Sequence, residues 1–313
     1  MRAFTAPLLA FAFLLTLLGP PARAAELRLD PGSAKPGDPV LVTVTGVMGL
    51  PSGELAGRPL QFYEVPGGFQ ALTGLPVELV PGELPVRVEA TVAEEAKPGP
   101  KVLQLEENAE VVSPTFGTRP VLLEGTLTLV DPRYRVRELT VASKFVSPPA
   151  KVKKWMKEDR LAFTQAQSQP FGPPLFKSDF AWPTASEQTA PFGDLRTFNG
   201  KKQSQHYGVD LDGRVGDPIQ AANDGTVVLV RECYASGNTV ILHHGAGLYT
   251  LYFHLSAFEV KQGQKLKKGQ RLGQVGRTGR VTGPHLHWSV KADSFYVDGE
   301  TLVKLPFAAW LSR

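Results

Sequence analysis

Short apolar runs of period two, broken by Pro and Gly, dominate the chain. Leu27-Arg28-Leu29, Val40–Val44, Leu60–Tyr63, Val86–Ala90 and Val121–Val130 alternate or run in β-formers. Pro36-Gly37-Asp38, Pro66-Gly67-Gly68 and Pro98-Gly99-Pro100 separate them as turns. Several short strands at this spacing predict a sandwich of immunoglobulin-like shape over residues 25–132. The period changes near Ser147-Pro148-Pro149. From there to residue 168, Val152, Trp155, Met156 and Phe163 fall on one helical face among Lys and Glu. An interdomain helix is expected, followed by an extended strap from Pro170 through Trp182-Pro183. Beyond Phe192 strands return: Val227–Val230, Thr239–Leu242, Tyr249–Phe253, two short strands about Lys268-Gly269, and Leu286–Val290. The expected fold is mostly β, with a second, antiparallel β domain over 181–313 and a helical linker over 133–180.

Composition supports a turn-rich β protein. Of 313 residues, 27 are Pro and 31 Gly, with 42% hydrophobic and 20% charged. That length suffices for two domains with a sizeable core. The formal charge is +4, or +2 once Arg2 and Arg23 are subtracted, too little to argue for nucleic acid.

The N-terminus reads as a secretory leader over residues 1–24. Arg2 precedes an apolar run from Phe4 to Leu18, then Gly19-Pro20-Pro21 and the small-x-small step Ala22-Arg23-Ala24. The run is shorter than the roughly 20 residues a membrane span needs. The expected product is exported, in the periplasm or cell envelope, and not an integral membrane protein once processed. The single cysteine, Cys233, excludes an intrachain disulfide and reads as a buried thiol.

Chemistry concentrates in the last third. His285 and His287, two apart in an expected strand, share a face. His206 and Asp210 offer an imidazole and a carboxylate, and His254 stands in Leu251-Tyr252-Phe253-His254-Leu255. A histidine alone is ordinarily a surface or satisfied core residue. Four of six set among strands and glycines point to a metal site with histidines beside it. His206, Asp210 and one of His285 or His287 supply the two imidazoles and one carboxylate of a catalytic zinc centre. The same donors describe a non-haem iron triad, though that motif usually spaces them His-x-Asp. The adjacent His243 and His244 point to opposite faces and read as structural. Gly273-Gln274-Val275-Gly276 is not a nucleotide loop, because a proline, the histidine pair and a strand follow it in place of a helix.

His206-x-x-x-Asp210, His254 in its Tyr-x-His-Leu setting, and Thr282-Gly283-Pro284-His285-Leu286-His287 together resemble the lysostaphin-type zinc endopeptidases of peptidoglycan. Pro191-Phe192-Gly193, Asn223–Val227, Gly237–Ile241 and the Gly273–Gly279 turn extend the resemblance over residues 180–303. It implies one zinc ion per chain on His206, Asp210 and His287. It also implies His285 as the base that activates a water, and His254 as a second catalytic histidine that polarises the carbonyl or steadies its oxyanion. The implied core resembles lipoyl carrier domains, and the implied substrate is the peptide cross-links of peptidoglycan. Arg196 stands one place later than the family's usual arginine after Phe-Gly, a shift expected to touch substrate contacts and not the metal. Stem peptides are the expected partners, with a protein partner possible through the N-terminal domain. The competing reading is a non-enzymatic, peptidoglycan-binding regulator of other wall hydrolases.

Overall fold

The computed structural model describes residues 24–94 and 117–311. The leader and the Pro98-Gly99-Pro100 turn lie outside the described residues.

The strand Pro39–Thr45 is buried along its whole length. Such a strand must be covered on both faces, and it is. Val40, Val42 and Val44 point into the sandwich core with Leu55, Val86, Val88 and Leu127, while Leu41 joins the core of the C-terminal half. One sheet orders its strands Glu26–Asp30, Pro39–Thr45, Gly68–Gly74, Phe62–Val65. The facing sheet runs Ser33–Ala34, Thr118–Leu129, Gly82–Ala93, Met48–Leu55, Arg58–Pro59. This is the two-sheet packing expected from the turn spacing. Pro66-Gly67 alone makes the hairpin turn, with Gly67 at φ 84°, and Gly68 already pairs with Val65.

The C-terminal half is built on an eight-stranded sheet with the central order Val209–Asp212, His285–Ala292, Leu248–Leu255, Gly237–His243, Gly225–Cys233. Its apolar face supplies Val209, Leu211, Leu242, Tyr252, Leu286, Trp288 and Val290 to one core. A small sheet of Pro218–Gln220, Arg271–Gln274 and Ala257–Phe258 contributes Ile219 and Leu272 to that core. The expected strap seals an end of it, where Phe176 meets Phe180 and Phe307 edge-on at 4.9 and 5.1 Å.

Residues expected to link the two halves are built into the second. The strand Val136–Leu139 pairs in parallel with Leu195–Phe198. The helix Lys153–Ala166 lies on Gly225–Cys233, where buried Asp159 accepts from Arg231 Nε and from the Tyr234 amide, each at 2.8 Å. Trp155 meets Tyr234, and Phe163 meets Phe253. Cys233 is buried, and its thiol is pushed up to about 11, chiefly by burial. That makes it inert at neutral pH.

The sandwich is held to the second half by more than Leu41 and Leu72. Thr301 Oγ1 donates to Asp38 at 2.8 Å, the Asp298 amide to the Gly37 carbonyl at 2.8 Å, and Lys35 pairs with Asp298 at 3.2 Å. Arg58 lies 4.6 Å over the Phe295 ring.

His244 is fully buried, with Nδ1 2.7 Å from the Asp224 carbonyl and Nε2 2.7 Å from Thr250 Oγ1. Burial pulls its pKa down to about 4 from 6.5. The unfolded chain takes up that proton first, so stability is full above pH 6.5 and falls as pH drops towards 4. The loss is about 3 kcal/mol over the whole window. Urea unfolding at pH 7 and pH 4.5 should show a shallower pH dependence in His244→Gln than in the native sequence; identical slopes would remove His244 from this role.

Candidate metal centre

Strand register assembles the site. Val209–Asp212 and His285–Ala292 pair antiparallel with Asp210 opposite His287 and Asp212 opposite His285. Side chains alternate along His285–Ala292: Leu286, Trp288 and Val290 enter the core, while His285, His287 and Ser289 line the opposite side, a groove of roughly 780 Å³. His206, from the turn before Val209, brings its ring to the same point. Asp210 Oδ1 lies 3.0 Å from His206 Nε2 and 2.8 Å from His287 Nδ1, and the two nitrogens are 3.1 Å apart.

The outer hydrogen bonds fix the protons. His206 Nδ1 is 2.6 Å from the Pro191 carbonyl, which can only accept, so Nδ1 carries the hydrogen and Nε2 is a lone pair. His287 Nε2 is 2.9 Å from Ser289 Oγ, and that hydroxyl donates to the Tyr207 carbonyl at 2.6 Å. Ser289 therefore accepts from Nε2–H, which leaves His287 Nδ1 also as a lone pair. Two imidazole lone pairs and a carboxylate oxygen then meet with no hydrogen among them. A cation would satisfy that arrangement. Their separations approach the about 3.3 Å edges of a tetrahedron with zinc-type bonds of about 2.05 Å. Burial disfavours charge on Asp210, while Arg196 Nη2 donates to its Oδ2 at 2.8 Å. Burial also draws His287 down to about 4. A neutral His287 and an ionised Asp210 are the forms that bind metal.

His254 and His285 flank this point, their ring centroids 5.0 Å apart. His285 Nδ1 donates to the Gly283 carbonyl at 2.9 Å, and its Nε2 stands 3.6 Å from Asp210 Oδ1. His254 Nδ1 donates to the Thr278 carbonyl at 2.8 Å. Burial, then the neighbouring His285 and His287, holds His254 well below the ordinary imidazole value.

His254 reaches the groove through a bulge. The register between Gly237–His243 and Leu248–Leu255 gains one residue, Asn238 pairing with Leu255 and Val240 with Tyr252. His254 takes φ 66°, a left-handed conformation that costs a side-chain-bearing residue about 1–3 kcal/mol. Its amide is tied to the Ser236 carbonyl at 2.9 Å. Consecutive strand residues face opposite ways, yet both Phe253 and His254 address the site. Phe253 stacks on His287 with ring planes 4° apart.

All five residues singled out in the sequence therefore meet in one groove. Between His285 and His287, which residue pattern alone left open, His287 lies with His206 and Asp210 as a possible ligand set. Arg196 differs from expectation. Its Nη2 donates to Asp210 Oδ2 at 2.8 Å, so it braces a member of that set. Ser289 went unnoticed, although its place two residues after His287 puts it on the same strand face. The Pro191 carbonyl and the bulge carry no periodic signal. His243 stacks on Tyr249 and His244 is buried, both apart from the groove.

Fold and donor set together describe a β domain with a candidate metal site. Residues 204–299 match Peptidase family M23. The peptidoglycan DD-endopeptidase ShyA of Vibrio cholerae is 46% identical over 90 residues, 29% of this chain and 21% of that protein. The DD-carboxypeptidase/endopeptidase Mpg of Neisseria meningitidis is 42% identical over 86 residues, 28% of this chain and 20% of that protein. The chain thus spans about a fifth of the length of these relatives. A crystal structure from Pseudomonas aeruginosa, assigned provisionally to peptidase M23, aligns with TM-score 0.58 at 24% identity. It covers 86% of this chain and 94% of that one, and it establishes the shared fold.

If Ser289 sets the His287 tautomer, Ser289→Ala should weaken zinc binding about 10–100-fold in a chelator competition. Unchanged affinity would mean that the tautomer is set elsewhere.

Proposed function

We propose that the protein is a zinc-dependent endopeptidase that hydrolyses peptide cross-links of peptidoglycan outside the cytoplasm. The observation that carries this reading is the convergence of three proton-free donors, His206 Nε2, Asp210 Oδ1 and His287 Nδ1, in a groove with two further histidines. These three would hold the metal. The names of the M23 relatives support peptidoglycan as the substrate class, and the leader-like residues 1–24 support export. The proposed division is a leader to residue 24, a sandwich to 132 and a peptidase unit that takes in residues 133–180 as part of its groove wall.

A zinc ion in such a donor set lowers the pKa of a water and polarises a carbonyl. The remaining steps belong to side chains. Hydrolysis removes one proton from water and delivers one to the departing amine nitrogen. His285 suits both tasks, because the Gly283 carbonyl holds its Nδ1–H and leaves Nε2 free beside Asp210. His254 also presents a lone pair at Nε2, since its Nδ1–H is engaged with Thr278. A neutral His254 accepts a hydrogen bond and does not donate one. This tautomer supports His254 as a second acceptor that orients the water, and makes it a partner of an oxyanion only after it has taken a proton. Arg196 keeps Asp210 ionised and aimed. Among the described residues none of the sandwich lines the groove.

His285→Ala should retain zinc while peptide release from purified sacculi falls about 10²–10⁴-fold. His206→Ala should lose both. Peptide release by His285→Ala at the native rate would overturn the assignment of the base.

A further inference from the structure

One half-buried guanidinium in the groove has neither a carboxylate partner among the described residues nor a part in the metal centre. Arg280 lies in the turn leading to Gly283 and His285, its amide bonded to the Ala235 carbonyl at 2.7 Å. Its side chain is half-buried in the groove wall, with Cζ 4.5 Å from the centroid of Phe198. Of the other arginines lining the groove, Arg137 pairs with Asp194 and Arg196 with Asp210, each at 2.8 Å, and Arg160 is exposed to solvent where Arg280 is half-buried. Among the described residues no carboxylate pairs with Arg280, and the charge it faces is that of Arg196. Burial and that like charge hold its pKa below the ordinary arginine value. A partly desolvated cation beside another cation is unfavourable until an anion reaches it.

We propose that Arg280 recognises a free carboxylate on the peptide substrate, close to the scissile amide, and so selects acidic peptides over their amidated forms. The proposal rests on the peptidase reading above. The Phe198 ring carries the flat face of the guanidinium, and its N–H edge is a fork matched to a planar carboxylate. Arg196, which neighbours Arg280, also grips Asp210. The carboxylate is therefore bound in the groove that Arg280 shares with Arg196 and the metal centre.

The test uses two cross-linked muropeptides that differ only in carrying free carboxylates or carboxamides beside the cleaved bond. The native protein should favour the carboxylate form through a KM about tenfold lower. In Arg280→Gln that preference should collapse towards unity, with the change in KM and not in kcat. Arg280→Lys, which keeps the charge without the fork, should retain part of it. An unchanged preference in Arg280→Gln, or equal losses on both substrates, overturns the proposal. If the native protein cleaves neither muropeptide, the peptidase reading fails. Arg280 is then judged by its side-chain Nε–H NMR signal during titration of the zinc-loaded protein with N-acetyl-D-alanyl-D-alanine and its amide. A shift with the acid alone upholds carboxylate recognition, and no shift, or equal shifts, overturns it.

Discussion

Three lone pairs meeting at one point impose the strongest constraint on this molecule. Left without a cation, His206 Nε2, His287 Nδ1 and Asp210 Oδ1 repel one another at 2.8–3.1 Å. The arrangement holds because each ring is tied from behind, His206 to the Pro191 carbonyl and His287 through Ser289 to Tyr207. Asp210 is tied through Arg196. Those outer bonds select the tautomers, and the tautomers decide what the centre can bind. Without them either imidazole could turn a hydrogen inwards and bond to Asp210, and the site would be satisfied with no metal.

The surrounding sheet makes this possible by being rigid where it matters. Leu286, Trp288 and Val290 anchor one face of the His285–Ala292 strand in the core, which fixes His285, His287 and Ser289 on the other. A one-residue slip would bury the histidines and expose Trp288. Phe253 stacks on His287 and is backed by Phe163 of the helix Lys153–Ala166. Residues between the two halves thus form a wall of the groove. The sandwich docks instead through Leu41, Leu72 and the Asp38–Thr301 contact, away from the groove.

Much of this was legible because strand period two is a local property. That His285 and His287 share a face follows from alternation alone; donor chemistry drew His206, Asp210 and His254 to them, and the resemblance separated their roles. What could not be read depends on contacts between distant segments. Arg196 becomes a brace for Asp210 only through the fold. The His254 bulge breaks the very alternation used to read strands, and neither Leu251–Leu255 nor its flanks mark it with glycine. The helix at 153–166 was visible as an amphipathic segment, but its role as a groove wall depends on Asp159 meeting Arg231 and Tyr234.

The central claim is that two imidazoles and one carboxylate of this chain hold a single zinc ion. Zinc K-edge X-ray absorption on the protein, purified without added metal, tests it most directly. The account predicts about one zinc per chain with two imidazole ligands, oxygen in the remaining positions and no sulfur. A single imidazole, a sulfur ligand, or protein that takes up no stoichiometric zinc on reconstitution would contradict it.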